Sequence, residues 1–135
     1  MHRILVLDDS IEDRFFVRRA VKKVCPESTL HEFVYAEEAL GFLRSPERPK
    51  FDLLLIDINM PRMTGFEFAD VYLELYPELR GNASLYIVSS SINPDDMDRV
   101  DAHPMISGFL KKPIMRDVIA EALAAAPQRA YSAAQ

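Results

Sequence analysis

A chain of 135 residues with 21 acidic and 16 basic side chains, net charge −5, is one domain's worth of protein and too short for two. Apolar residues make up 49% of it, enough to bury a core. The chain has no Lys/Arg block dense enough for nucleic acid and no run near the ~18 apolar residues of a membrane span, so neither partner is expected. The one cysteine, Cys25, cannot close an internal disulfide, and the short run Ile4 to Leu7 ahead of Asp8-Asp9 is no signal peptide, so a cytoplasmic protein is expected.

Arg3 to Leu7 reads as a strand, apolar enough to be buried on both faces. Ser10 opens a helix, with Asp13 three residues on as an approximate capping box. Val17, Ala20, Val21 and Val24 form its apolar face, and Pro26 ends it. A second strand is predicted over Thr29 to Tyr35 and a short helix over Glu37 to Leu43, followed by a polar loop from Ser45 to Lys50. Leu53 to Ile56 is the clearest strand and runs into Asp57. Pro61 and Gly65 mark a turn, and the helix after it carries Phe66, Ala69 and Leu73 on one face. Leu85 to Val88 is a fourth strand, leading into Ser89-Ser90-Ser91. A helix starts after Asn93 with Pro94 at its first position. Ile106 to Leu110 is the fifth strand, and Pro113 begins a closing helix bearing Ile114, Val118, Ile119 and Leu123. Residues 1–126 are thus expected to form the domain, with 127–135 a short polar tail and no output domain expected behind it.

Regular strand–helix alternation implies a parallel sheet with helices on both faces, and ligands of such sheets sit beyond the carboxyl ends of the strands. The strand ends here deliver Asp8 and Asp9, Asp57, the hydroxyl of Ser89, and Lys111-Lys112. Converging carboxylates repel, and one takes up a proton unless a cation compensates. Oxygen donors with room for water suit Mg²⁺. A carboxylate beside Mg²⁺ and a lysine is equipped to attack a phosphoryl group, because both cations neutralise the developing charge on its oxygens.

Each of these residues has an ordinary reading by itself. An aspartate pair after a strand is usually a helix cap or a solvated turn, Ser89 can serve the next helix's backbone, and Lys112 can be a surface charge. Their coincidence at the carboxyl ends of strands favours a site.

The stretches Leu7-Asp8-Asp9-Ser10, Asp57-Ile58-Asn59-Met60-Pro61-Arg62-Met63-Thr64-Gly65-Phe66-Glu67 and Gly108-Phe109-Leu110-Lys111-Lys112-Pro113 resemble the receiver domains of two-component response regulators, from Ile4 to about Ala124. The resemblance implies an α/β fold of the CheY-like, flavodoxin-like kind: a doubly wound five-stranded parallel sheet in the order 2-1-3-4-5. It also implies that Asp57 accepts a phosphoryl group from a sensor histidine kinase or a histidine phosphotransfer protein. Asp9 would bind Mg²⁺ directly, Asp8 mostly through water, and the Asn59 backbone carbonyl would complete the protein ligands with Asp57. Lys112, immediately before Pro113 across an expected cis bond, would pair with the phosphoryl oxygens. Ser89 would move to the phosphoryl group and Phe109 would follow it.

Two stretches depart from the family pattern: His103-Pro104-Met105-Ile106-Ser107 replaces a small-residue turn, and Ser90 stands where alanine is usual. His103 reads as a loop residue, without a second histidine or cysteine at metal-ligand spacing. Arg14, Arg18 and Lys22 form a stripe at i, i+4, i+8, either solvated or steering an acidic kinase or phosphotransfer surface. Phe15 and Phe16 are expected to be divided between core and pocket rim. The expected protein is a phosphoryl-accepting signalling domain, not an enzyme turning over an external substrate, whose output is a second protein or a second copy of itself. The alternative is a phosphoaspartate hydrolase of the haloacid dehalogenase type. It is disfavoured because Asn59 stands where those enzymes place their acid/base aspartate.

Overall fold

The computed structural model describes residues 2–46, 50–75 and 83–125; the predicted tail and the middle of the 45–50 loop lie outside them. The elements alternate as expected: β1 (Arg3–Leu7), α1 (Ile11–Val24), β2 (Thr29–Phe33), α2 (Ala36–Arg44), β3 (Leu53–Asp57), α3 (Gly65–Glu74), β4 (Ser84–Ser89), α4 (Pro94–Ala102), β5 (Gly108–Lys111) and α5 (Arg116–Ala125). The five strands are all parallel, in the order β2-β1-β3-β4-β5.

Period-two alternation along continuous apolar strands splits the core in two. Leu5, Leu7, Leu54, Ile56, Leu85 and Ile87 pack under α2, α3 and α4 against Leu40, Phe68, Tyr72 and Val100. Ile4, Val6, Leu53 and Leu55 face the other way, against Val17, Ala20 and Val21 of α1 and Ile119 and Leu123 of α5. The central strand β3 is buried at every position, which is why Leu53 to Ile56 shows no polar alternation.

Local differences from the expected elements have physical causes. β2 stops at Phe33, because Tyr35 is the N-terminal cap of α2, its carbonyl accepting from Glu38. On α3 the buried face uses Phe68 and Tyr72, while Leu73 is only half-buried. β5 starts at Gly108; Ile106 and Ser107 instead form a loop, with the Ser107 hydroxyl accepting from the Leu85 N–H. α5 begins at Arg116, not Pro113, although Ile114 is still buried. The Lys112–Pro113 peptide is cis, as expected.

The turn after β3 takes its left-handed residue at Arg62 (φ 73°), where the Met63 N–H donates back to the Pro61 carbonyl at 2.8 Å. Gly65 is needed for a different reason: a Cβ there would lie 2.7 Å from the Asp57 carbonyl oxygen. α3 therefore starts with its backbone directly against the end of β3. A full capping box forms here too, Thr64 with Glu67. At α1 only half of one forms, Ser10 accepting from the Asp13 N–H, because the Asp13 carboxylate is used elsewhere.

His103 is more than a loop residue. It caps the C-terminal end of α4, its Nδ1 accepts from the Met105 N–H at 3.1 Å, and its Nε2 lies 2.8 Å from Asp70 on α3. With Nδ1 accepting, Nε2 carries the proton and donates to Asp70.

Candidate functional site

The carboxyl ends of β1 and β3 are neighbours in the sheet, so the residues that follow them meet. Asp8 is 4% exposed and Asp57 6%, while Asp9 faces solvent. Each of the three offers an oxygen within 4.8 Å of the others'. Asp8 is oriented by the start of α1, its Oδ1 accepting from the Ser10 N–H at 2.9 Å.

From the end of β5, Lys112 reaches over this cluster. Its Nζ lies 2.8 Å from Asp8 Oδ2, 2.8 Å from Asp13 Oδ2 and 3.1 Å from Asp57 Oδ1. Lys111, its neighbour on β5, is exposed. Val17, Leu55, Val88 and Ile114 line the same small cavity as Lys112, Asp8, Asp13 and Asp57, so the ammonium is held among acids beside apolar walls.

Burial and crowding shape the protonation of these groups. Asp57 is pushed up from 3.8 to about 6, first because it is buried and then because Asp8 lies beside it; Lys112 opposes the rise. Asp8 is raised as well, again mainly by burial, against the hydrogen bonds from Lys112 and Ser10. Burial by itself would lower Lys112, but the hydrogen bonds to Asp13 and Asp8 and the charges of Asp8 and Asp57 outweigh it and raise the lysine. The cluster holds more negative charge than one ammonium balances. Three clustered carboxylates, two of them buried, are a hard-oxygen donor set of the kind that suits a divalent cation such as Mg²⁺.

Over Ile4 to Ala124 the sequence matches the family model "Response regulator receiver domain". The chain belongs to that family. It is 34% identical over 122 residues to the response regulator receiver protein CpdR of Brucella abortus, covering 90% of this chain and 93% of CpdR. It is 30% identical over 107 residues to the sensor histidine kinase AruS of Pseudomonas aeruginosa, covering 79% of this chain but only 11% of AruS. Among solved structures, a response regulator receiver protein from Dyadobacter fermentans superposes with a TM-score of 0.78 at 28% identity, covering 90% of this chain and 94% of that one. Receiver domains are signalling domains of two-component systems and work with histidine kinases and phosphotransfer proteins. Among the described residues of this one, no helix is long and apolar enough to cross a membrane.

Not every residue singled out from the sequence joins the cluster. Asn59 is exposed on the loop two residues beyond Asp57. Ser89 is buried at the end of β4, with its hydroxyl turned into its own loop: Oγ donates to the Ser91 carbonyl at 2.7 Å and accepts from the Ser91 N–H at 3.3 Å. Phe109 is half-buried on β5 and packs against the α3/α4 side of the core.

Two features of the site were not legible as function. Asp13, read as a helix-cap residue, is a full partner of Lys112. Arg14 and Arg18 are not a free basic stripe: both pair with Glu32 of β2, at 3.4 and 2.7 Å, and Arg14 Nη1 donates to the Asp8 carbonyl at 2.7 Å. The hydrogen bond from Arg18 holds the Glu32 carboxyl below its usual range. Phe15 and Phe16 are both exposed on α1, neither in the core. Phe16 borders an apolar groove with Ala20 and Met115, rimmed by Arg19, Lys23 and Arg116.

Proposed function

We propose that this receiver domain accepts a phosphoryl group on Asp57 from a phosphohistidine, in a Mg²⁺-dependent reaction, and signals through protein–protein contacts. The observation that carries this reading is a buried aspartate 3.1 Å from a lysine ammonium, with two further carboxylates clustered beside it. Burial and Asp8 raise Asp57 only to about 6, so it is mostly ionised at pH 7 and can act as a nucleophile.

One carboxylate oxygen of Asp57 forms the new O–P bond while the P–N bond to the donor imidazole breaks, and that electron pair stays on the imidazole nitrogen. Lys112 donates to the phosphoryl oxygens as charge develops on them. Asp8, Asp9, Asp57 and the Asn59 carbonyl would hold Mg²⁺, which when bound supplies further neutralisation of that charge. The aspartyl phosphate carries about −1.5 to −2 charges at neutral pH, by analogy with other phosphorylated side chains. Ser89 then exchanges its bond to the Ser91 carbonyl for one to the phosphoryl group, and Phe109 turns inward into the space released. The readout face is formed by α4, β5 and α5, where a separate protein or a second copy of this chain binds.

Incubation with acetyl phosphate and Mg²⁺ tests the core of this reading. The protein should gain the mass of one phosphate, labile to hydroxylamine, and an Asp57→Asn protein should gain none. Phosphate uptake by that variant would overturn the assignment of Asp57.

A further inference from the structure

Lys112 has three protons to donate and three carboxylate oxygens within reach: those of Asp8, Asp13 and Asp57. Its ammonium is already shared among three carboxylates, with hydrogen-bond geometry met at Asp13. A phosphoryl group on Asp57 can engage this lysine only if one of those bonds opens.

The three partners are not equivalent. Asp8 and Asp57 come from strand ends and belong to the acidic cluster that offers a cation site. Asp13 comes from the first turn of α1, stands outside that cluster, and holds the lysine at 2.8 Å, closer than Asp57 does. The Ser10 N–H, which an Asp13 carboxylate would accept from in a full capping box, donates instead to Asp8 Oδ1, so the Asp13 carboxylate is not needed to cap the helix. A cation among Asp8, Asp9 and Asp57 would draw those carboxylates to itself and loosen their hold on the lysine, which leaves Asp13 as the partner that competes with a phosphoryl group for the ammonium.

We propose that Asp13 is a positioning residue that competes with the phosphoryl group for Lys112, holding the lysine back in the unphosphorylated state and being released from it on phosphorylation. This rests on the phosphoacceptor reading of Asp57. By linkage the competition is reciprocal: whatever Asp13 takes from the affinity for a phosphoryl group, that group takes from the Asp13–Lys112 bond. Because the bond is charge-assisted but about a quarter exposed at Asp13, its loss should tighten binding of a phosphoryl mimic by roughly tenfold.

The test is a double-mutant cycle read by titration with beryllofluoride in Mg²⁺, a mimic of the aspartyl phosphate. Asp13→Ala should bind it about tenfold more tightly than wild type, and Asp13→Asn, which keeps a weaker acceptor, should fall between them. In a Lys112→Ala background the Asp13→Ala effect should vanish, since the two act as one unit. An effect that persists there would be plain charge repulsion and would overturn the proposal. A second measurement needs no variant: the carboxyl-carbon NMR resonance of Asp13 in the wild-type protein should shift on adding beryllofluoride. A resonance that stays put while the mimic binds would also overturn it. If wild type binds no beryllofluoride and takes no phosphate from acetyl phosphate, it is the phosphoacceptor reading that fails, a result distinct from either of these.

Discussion

Replacing Asp57 by asparagine should make the Mg²⁺-free protein more stable at pH 7, although it removes the residue the proposed function depends on. Burial and the neighbouring Asp8 raise the Asp57 proton affinity from 3.8 to about 6 in the folded state. The folded protein therefore binds this proton more tightly than the unfolded chain. Stability contributed by Asp57 is fully present below about pH 4 and is lost as pH rises through 6, the opposite of a salt-bridged carboxylate with a lowered value. Each tenfold change in affinity is worth about 1.4 kcal/mol, so the ionised group costs about 3 kcal/mol at pH 7. The value of about 6 already includes the attraction of Lys112; asparagine removes the charge but replaces the carboxyl's hydrogen bonds imperfectly, which leaves a net gain of about 1–2 kcal/mol. With a urea dependence of about 2 kcal/mol per molar, the midpoint of urea unfolding should move up by about 0.5–1 M. The assay is urea denaturation in EDTA at pH 4.5, 6 and 7.5. The gain should be small at the lowest pH and largest at the highest. A variant less stable than wild type at pH 7.5, or a gain independent of pH, would refute the argument that Asp57 is held ionised at a cost.

Three further outcomes are expected. Mg²⁺ affinity should fall more in Asp9→Ala than in Asp8→Ala, because both Asp8 oxygens already accept hydrogen bonds, from Ser10 and Lys112; isothermal titration showing equal losses would contradict the ranking. Gly65→Ala should destabilise by about 1–3 kcal/mol, since its Cβ would stand 2.7 Å from the Asp57 carbonyl and push β3 and α3 apart, and it should slow phosphorylation from acetyl phosphate; a variant with wild-type stability would show that the contact relaxes freely. Phe109→Ala should still accept phosphate at Asp57 yet lose activation-dependent partner binding in pull-downs with and without beryllofluoride, and undiminished binding would remove the aromatic from the switch.

The sequence by itself determined the element order, the parallel doubly wound arrangement and the acids at the ends of β1 and β3. These follow from signals a few residues long: unbroken apolar runs such as Leu53 to Ile56, the i, i+3, i+4 spacing of Val17, Ala20 and Val21, and prolines at element boundaries. Boundaries were less legible where a neighbour outside the segment decides them, as at Tyr35, which caps α2 instead of extending β2. Asp13 shows what only the tertiary structure decided. Read locally it belongs to a helix cap, yet its carboxylate bonds a lysine 99 residues away. Likewise Arg14 and Arg18 have helical spacing suited to a solvated stripe, and Glu32 on the next strand takes both. A charged side chain has many partners at similar energy within its reach, so its choice depends on which elements the sheet brings alongside it. Apolar periodicity has one good solution, burial of a face, and so is written in the chain itself.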